Sequence, residues 1–132
     1  MISTKGRYAL RVMVDIAQQP WDRYIPLKEI AERQQISKKY LETIVHELAK
    51  AKMIRGVSGK GGGYMLARKP EEYTLGEIIE EMEGTLAPVA CLAGDKNVCP
   101  RADKCATLPM WEEYNKLIKD FFYSKKLSDL IK

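Results

Sequence analysis

A mostly α fold, carrying one small two-stranded β element and a long C-terminal helix, is what the 132-residue sequence predicts. Three observations lead there. Apolar residues recur at helical spacing in five separate segments, one glycine-dense turn between β-prone residues interrupts them, and no run of about 18 apolar residues suggests a membrane span.

The first segment places Ala9, Val12, Met13, Ile16 and Ala17 on one helical face with Lys5, Arg7 and Arg11 on others, and its helix stops before Pro20. The turn-rich QQPWDRYIP separates it from LKEIAERQ, where Leu27, Ile30 and Ala31 predict a second, short helix. Ser37 then stands as an N-cap before KKYLETIVHELAKAKMI, in which Leu41, Ile44, Val45 and Leu48 repeat at i, i+3, i+4 and i+7. Residues 54–66 break this period, and Gly59, Gly61, Gly62 and Gly63 predict two short strands around an open turn. Thr74-Leu75-Gly76-Glu77 has the form of a capping box opening a fourth helix with stripe Leu75, Ile78, Ile79 and Met82, closed by Gly84.

Residues 85–106 show no periodicity and hold Pro88, Pro100 and all three cysteines, so they read as a loop. After it, Pro109 suits a first helical turn, and Trp111, Tyr114, Leu117, Ile118, Phe121 and Phe122 recur every three or four residues. The closing SKKLSDLIK is expected to add one loosely packed turn. In so small a chain, a helix reached by a long loop has little core left to join, so its apolar face, Trp111, Tyr114, Ile118 and Phe121, is expected to pair with a second copy in a homodimer.

Residues 1–70 hold 14 Lys/Arg against 6 Asp/Glu and residues 71–132 hold 8 against 12, a split of +8 and −4. A basic half suits contact with an acidic polymer, although a basic face is often only solvated surface. The short second helix, the tight turn Gln34-Gln35-Ile36-Ser37 and the longer third helix have the layout of a helix-turn-helix over about residues 27–50, with Ile36 packed in the angle. Entering the major groove N-terminal end first, such a third helix presents Ser37, Lys38, Lys39, Tyr40, Glu42, Thr43 and His46 to double-stranded DNA. Lys38 and Lys39 can meet phosphates or guanine edges, and Glu42 can accept from cytosine N4. A three-helix bundle with a solvated face is the plainer alternative. The following hairpin, about 54–66, shifts the balance, because Ser58, Lys60, Gly61 and Gly62 form a bulk-free tip that can approach a phosphate backbone as a wing does. Its sequence GKGGGY lacks the phosphate-loop pattern and a following helix. The fold class is thus a winged helix-turn-helix domain over 1–84, a cysteine loop over 85–106 and a dimerisation helix and tail over 107–132.

Cys91, Cys99 and Cys105, with seven and five residues between them, lie within one loop, which suits an iron-sulfur cluster better than a packed core. Lys96, Arg101 and Lys104 between them favour thiolates. Structural zinc more usually takes paired C-x2-C ligands, while another metal, a redox switch or incidental cysteines remain open readings. His46, the only histidine, is far along the chain and reads as DNA-facing or solvated. With one histidine and scattered acids no catalytic constellation can be assembled, so no enzyme is expected. A cytoplasmic location is expected, since Lys5, Arg7, Arg11 and Asp15 break the N-terminal apolar pattern that a signal peptide needs.

STKGRYAL, LKEIAERQQISKKYLE, GKGGGYML, LGEII and the cysteine loop leading to LPMW together resemble, in order and over essentially the full length, the Rrf-type winged-helix transcription regulators, above all their IscR-like iron-sulfur branch. The resemblance implies a homodimer joined through its C-terminal helix, a partly palindromic operator, Cys91, Cys99 and Cys105 as ligands to a cluster ([2Fe-2S] ahead of [4Fe-4S]), and Glu42 as the residue that helps choose operator sequence. The chain departs from that pattern at three places. Leu108 stands where the IscR-like branch has a ligand histidine, Ser58 replaces the wing arginine, and Tyr8 replaces the aspartate through which related nitric-oxide sensors complete the cluster of the partner chain. Asp95, Asp103, a residue of a second copy, or a small molecule or water are the remaining choices for a fourth ligand. A metal-free thiol, redox or cysteine-metabolism regulator of the same fold is the alternative function.

Overall fold

Among residues 2–94 and 99–131, which the computed structural model describes, five α-helices and one antiparallel hairpin follow in the order α1 Thr4–Ala17, α2 Leu27–Gln34, α3 Lys38–Lys50, β1 Ile54–Val57, β2 Gly63–Leu66, α4 Leu75–Glu83 and α5 Leu108–Ser124. α1, α3 and α4 each begin at a side-chain cap, whereas α2 and α5 begin without one. Ser3 Oγ accepts from Gly6 N at 3.3 Å, Ser37 Oγ accepts from Tyr40 N at 3.2 Å, and Thr74 exchanges bonds with Glu77 in the expected capping box. The apolar stripes of α1 to α4 meet in one core that includes Val12, Met13, Ile30, Leu41, Ile44, Leu48 and Ile78, and Ile36 is buried in the angle between α2 and α3.

The helix expected to continue through AKMI stops at Lys50. Lys52 takes the left-handed conformation (φ 62°), Lys52 N donates to Ala49 O at 3.0 Å and Met53 N to Leu48 O at 2.9 Å. This is a helix stop of the Schellman type with lysine where glycine is usual, and it turns Met53 and Ile54 into the core as the first residues of the hairpin. Gln35 (φ 55°) closes α2 in the same way, with Ile36 N donating to Ala31 O at 3.2 Å.

The hairpin pairs Ile54 with Leu66 through Val57 with Gly63. A third segment, not expected from the sequence, joins it: Ile25 N donates to Tyr64 O at 2.7 Å and Tyr64 N to Ile25 O at 2.8 Å. Gly63 permits this approach, because a Cβ there would stand 2.3 Å from Ile25 O. Gly62 is equally constrained, its Cβ position lying 2.2 Å from Val57 O.

The C-terminal tail corrects the expectation of a loosely packed turn. Leu75 N donates to Lys125 O at 2.9 Å and Leu127 N to Tyr73 O at 3.1 Å, and Leu127 is fully buried in the main core. Two backbone bonds and one leucine thus return the end of α5 to the base of the hairpin. No helix is long and apolar enough to cross a membrane among the described residues.

Candidate nucleic-acid interface and cysteine loop

Side-chain contacts tie α3 and the end of α2 to α1. The Tyr8 and Tyr40 rings lie 5.8 Å apart at a tilt of 59°, with the Arg11 guanidinium 5.0 Å from the Tyr8 centroid. Arg11 Nε also donates to Gln34 Oε1 at 3.1 Å, tying the turn before α3 to α1, and Lys5 pairs with Glu47. Beneath them Asp15, only 2% exposed, accepts from Arg33 Nη2 at 2.8 Å, Arg33 Nε at 3.0 Å and Gln34 Nε2 at 2.9 Å. A buried carboxylate is tolerated there only because a guanidinium fork and an amide satisfy it. Glu29 extends the pairing to Arg23 at 2.5 Å, whose guanidinium holds the Glu29 carboxyl below its ordinary range.

With its apolar side inward, α3 leaves Ser37, Lys38, Lys39, Glu42, Thr43 and His46 exposed on one surface, while Tyr40 is half-buried against Tyr8. At the hairpin tip Ser58, Lys60 and Gly61 are exposed and Gly62 is half-buried. The base of the hairpin is locked by Tyr73, whose hydroxyl donates to Met53 O at 2.5 Å and accepts from Ala67 N and Arg68 N at 3.0 Å each. Burial pushes the Tyr73 phenol above its usual range. Arg68 covers the ring at 4.2 Å and reaches Glu77 at 2.6 Å.

In the cysteine loop, Cys91 sits in a single 3-10 turn, Ala90–Leu92, and Cys91, Cys99 and Cys105 are each half-buried. Cys105 is set just before α5, with Sγ 3.4 Å from Thr107 Oγ1. That hydroxyl, then the backbone amides of Thr107 and Leu108, then Arg101 hold its thiol below the ordinary range. The described residues contain no group of three His, Cys, Asp or Glu side chains close enough to hold a metal ion, so the three thiols are not brought together. Arg101, Asp103 and Lys104 are exposed, Leu108 opens α5, and Asp95 and Lys96 lie outside the described residues. Within the chain, Tyr8 belongs to the α3 support rather than to this loop.

A family model described as "Rrf2: Iron-dependent Transcriptional regulator" matches residues 2–132. The chain belongs to the Rrf2 family. Protein rrf2 of Nitratidesulfovibrio vulgaris (strain Hildenborough) is 36% identical over 131 residues, covering 99% of this chain and 87% of that protein. Two solved structures bracket the sensing question. CymR of B. subtilis, described as the global cysteine regulator, superposes with a TM-score of 0.79 at 32% identity over 98% of this chain and 95% of its own. T. potens IscR superposes at 0.76 with 35% identity, covering 98% and 85%. The Rrf2 chain described here is therefore a DNA-binding transcription regulator with a winged-helix fold, and not an enzyme.

In this Rrf2 regulator α5 has no buried residue of its own. Tyr114 is 49% exposed, Leu117 63% and Phe121 54%, with Trp111 and Ile118 half-buried beside them. Phe122 turns the other way, onto the main core, and Gly76 gives Tyr123 room, since a Cβ there would lie 2.5 Å from its ring. Burial first, and Glu80 second, push the Tyr123 phenol up to about 12. Two residues that support the candidate nucleic-acid interface were not singled out from the sequence. Asp15 had a signal, being one acid on the apolar side of α1 beside Val12 and Ile16. Tyr73 had none, because its partners are backbone atoms.

Proposed function

We propose that this Rrf2-family regulator acts in the cytoplasm as a homodimer joined through α5, reads a partly palindromic operator with α3 and the hairpin, and is controlled by an iron-sulfur cluster on Cys91, Cys99 and Cys105. The observation that carries the reading is the placement of three accessible thiols on the one loop that connects the winged domain to the uncovered α5. Soft thiolates are the donors such a cluster takes, and Cys105, biased toward thiolate by Thr107 and the start of α5, fits that chemistry, as do Arg101 and Lys104 beside it. The separated thiols must converge for all three to ligate, and the described residues of the loop carry no α-helix or strand, only the 3-10 turn Ala90–Leu92. When bound, the cluster supplies iron that is sensitive to oxygen, nitric oxide and supply. A [2Fe-2S] cluster follows the family resemblance and a [4Fe-4S] cluster is the alternative. With Leu108 in place of histidine, the fourth ligand comes from Asp103, Asp95, a second copy or a small molecule.

In the DNA contact, Lys38, Lys39 and Lys60 are assigned to phosphates, Glu42, Thr43 and His46 to base edges, and Ser37 and Tyr40 to positioning at the start of α3. Ser58, Gly61 and Gly62 let the tip approach the backbone closely. Anaerobic purification followed by absorption spectroscopy and iron and sulfide analysis tests the cluster. Cys91→Ala, Cys99→Ala and Cys105→Ala should each lose visible absorbance and iron while remaining folded, and Leu108→His should make the colour more resistant to oxygen. Colourless protein without iron or sulfide, with all three variants binding DNA like the parent, refutes it. That result would favour the second reading, a metal-free thiol or cysteine-metabolism regulator, which the likeness to CymR supports.

A further inference from the structure

A groove of about 620 Å³ lies between the end of α1 with the turn after it and the hairpin base, and no described residue of the cysteine loop lines it. Its floor is apolar, from Ile16 and Ala17 at the end of α1 and Met65 of β2, and Trp21 stands beside it 90% exposed. A tryptophan left so open has no structural employment in the chain. The rim carries four cations against one acid, Glu72, and the four cations are not equivalent. Arg23 is occupied by Glu29 at 2.5 Å and Arg68 by Glu77 at 2.6 Å, whereas the side chains of Arg55 and Lys69 make no ion pair among the described residues. Two unengaged cations above an apolar floor, flanked by an indole, complement a flat apolar body bearing an anionic group, and the volume is that of a pocket for a small molecule rather than for a protein segment.

We propose that this groove is an effector site for a small amphipathic anion, such as an aromatic carboxylate or sulfonate. Arg55 and Lys69 take the charge, Trp21 folds over the ring system, and the floor takes the apolar body. Because one wall is α1 and the other is β1, β2 and the segment after them, an occupant braces the hairpin against the helical bundle. The site is independent of the cluster and should behave identically in the three Cys→Ala variants.

The probe is 8-anilinonaphthalene-1-sulfonate, with neutral N-phenyl-1-naphthylamine as its uncharged counterpart, titrated into the full chain. One sulfonate probe should bind per chain, energy transfer from tryptophan to the bound probe should fall sharply in Trp21→Phe, leaving only the part that Trp111 supplies, and the neutral compound should bind at least tenfold more weakly. The double variant Arg55→Ala/Lys69→Ala should also lose at least tenfold in affinity with an unchanged melting curve, both positions being on the surface. Amide exchange across residues 54–67 should slow at saturation. No stoichiometric binding, equal binding of the neutral compound, or affinity unmoved by the double variant overturns the site. Unchanged exchange in the hairpin at saturation overturns its role as an effector site.

Discussion

Tyr73→Phe isolates the hydroxyl that closes the base of the hairpin. Its oxygen serves three backbone partners at once, donating to Met53 O at 2.5 Å and accepting from Ala67 N and Arg68 N at 3.0 Å. The ring volume is preserved, so no cavity beyond one oxygen is created. Each neutral bond contributes about 1 kcal/mol net, and a buried group left without a partner costs more. Met53 O keeps a long bond from Ala67 N at 3.4 Å, and the two amides are only half-buried, which lowers the total. The expected loss is about 2 to 3 kcal/mol, a large share of the roughly 5 to 15 kcal/mol that holds a domain together. Urea unfolding followed by far-ultraviolet circular dichroism measures it, at one fixed protein concentration because association adds to apparent stability. Amide exchange at Ala67 and Arg68 should accelerate in step. A loss below about 0.5 kcal/mol, the scale of an ordinary surface change, would refute the three-partner account.

Leu127→Ala should cost about 3 to 5 kcal/mol in the same assay, because a fully buried leucine leaves a cavity in the main core; a surface-like value would detach the tail from that core. Ile118→Asp should abolish dimerisation in sedimentation by placing an unpaired carboxylate in an apolar contact, and an unchanged dimer would move the interface off α5. Lys60→Ala should weaken binding to all DNA sequences and flatten its salt dependence, whereas Glu42→Ala should relax preference at one or two positions by about 1 to 3 kcal/mol; equal loss of sequence preference from both contradicts the assigned roles. Glu77→Gln should destabilise by up to about 1 kcal/mol at neutral pH by removing the charge paired with Arg68, because glutamine can still serve the capping box. Burial opposes ionisation of Glu77, but the bonds from Arg68 and Thr74 outweigh it and lower its pKa on folding. The parent's advantage therefore holds above the unfolded carboxyl range and disappears as pH falls through the lower folded value, and a pH-independent difference would rule this out.

Helices α1 to α4 were legible because their burial is periodic: Val12, Met13 and Ile16 or Leu41, Ile44, Val45 and Leu48 sit inside for the reason their spacing suggests, while α5 showed through its apolar spacing and the hairpin through its glycine turn. Once those stripes face inward, exposure of Lys38, Lys39, Glu42, Thr43 and His46 follows from helical geometry alone. The features that escaped are single residues whose partners are distant in sequence. Ile25 pairs with Tyr64 from a turn-rich segment too short to show alternation, and Leu127 enters the core from a tail whose charge pattern suggests solvent. The left-handed Lys52 hid the end of α3, since glycine is the usual signal for that stop. The cysteine geometry is a different case. Spacing states which thiols can reach a common point, but convergence depends on what they bind, and the chain by itself gives them no packing reason to meet.

The return of the tail gives the proposed switch a mechanical basis. The C-terminal end of α5 is fixed to the hairpin base through the Leu75–Lys125 and Leu127–Tyr73 backbone bonds and the buried Leu127, next to the hydroxyl that joins Tyr73 to Met53, Ala67 and Arg68. Its other end begins three residues after Cys105, on the loop that carries all three thiols. A helix held at one end and attached at the other to a loop whose order the proposed cluster sets would pivot about the held end. Drawing Cys91, Cys99 and Cys105 onto one cluster shortens the free path of the loop and so selects a narrower range of α5 tilts. If α5 is the dimer contact, a tilt is doubled by symmetry into a change of separation between the two α3 helices, and half-sites about one helical turn apart respond to that separation without any change in a base contact. Cluster loss should then alter operator affinity by changing geometry while leaving the contacts of Lys38, Glu42 and Lys60 intact within each half-site.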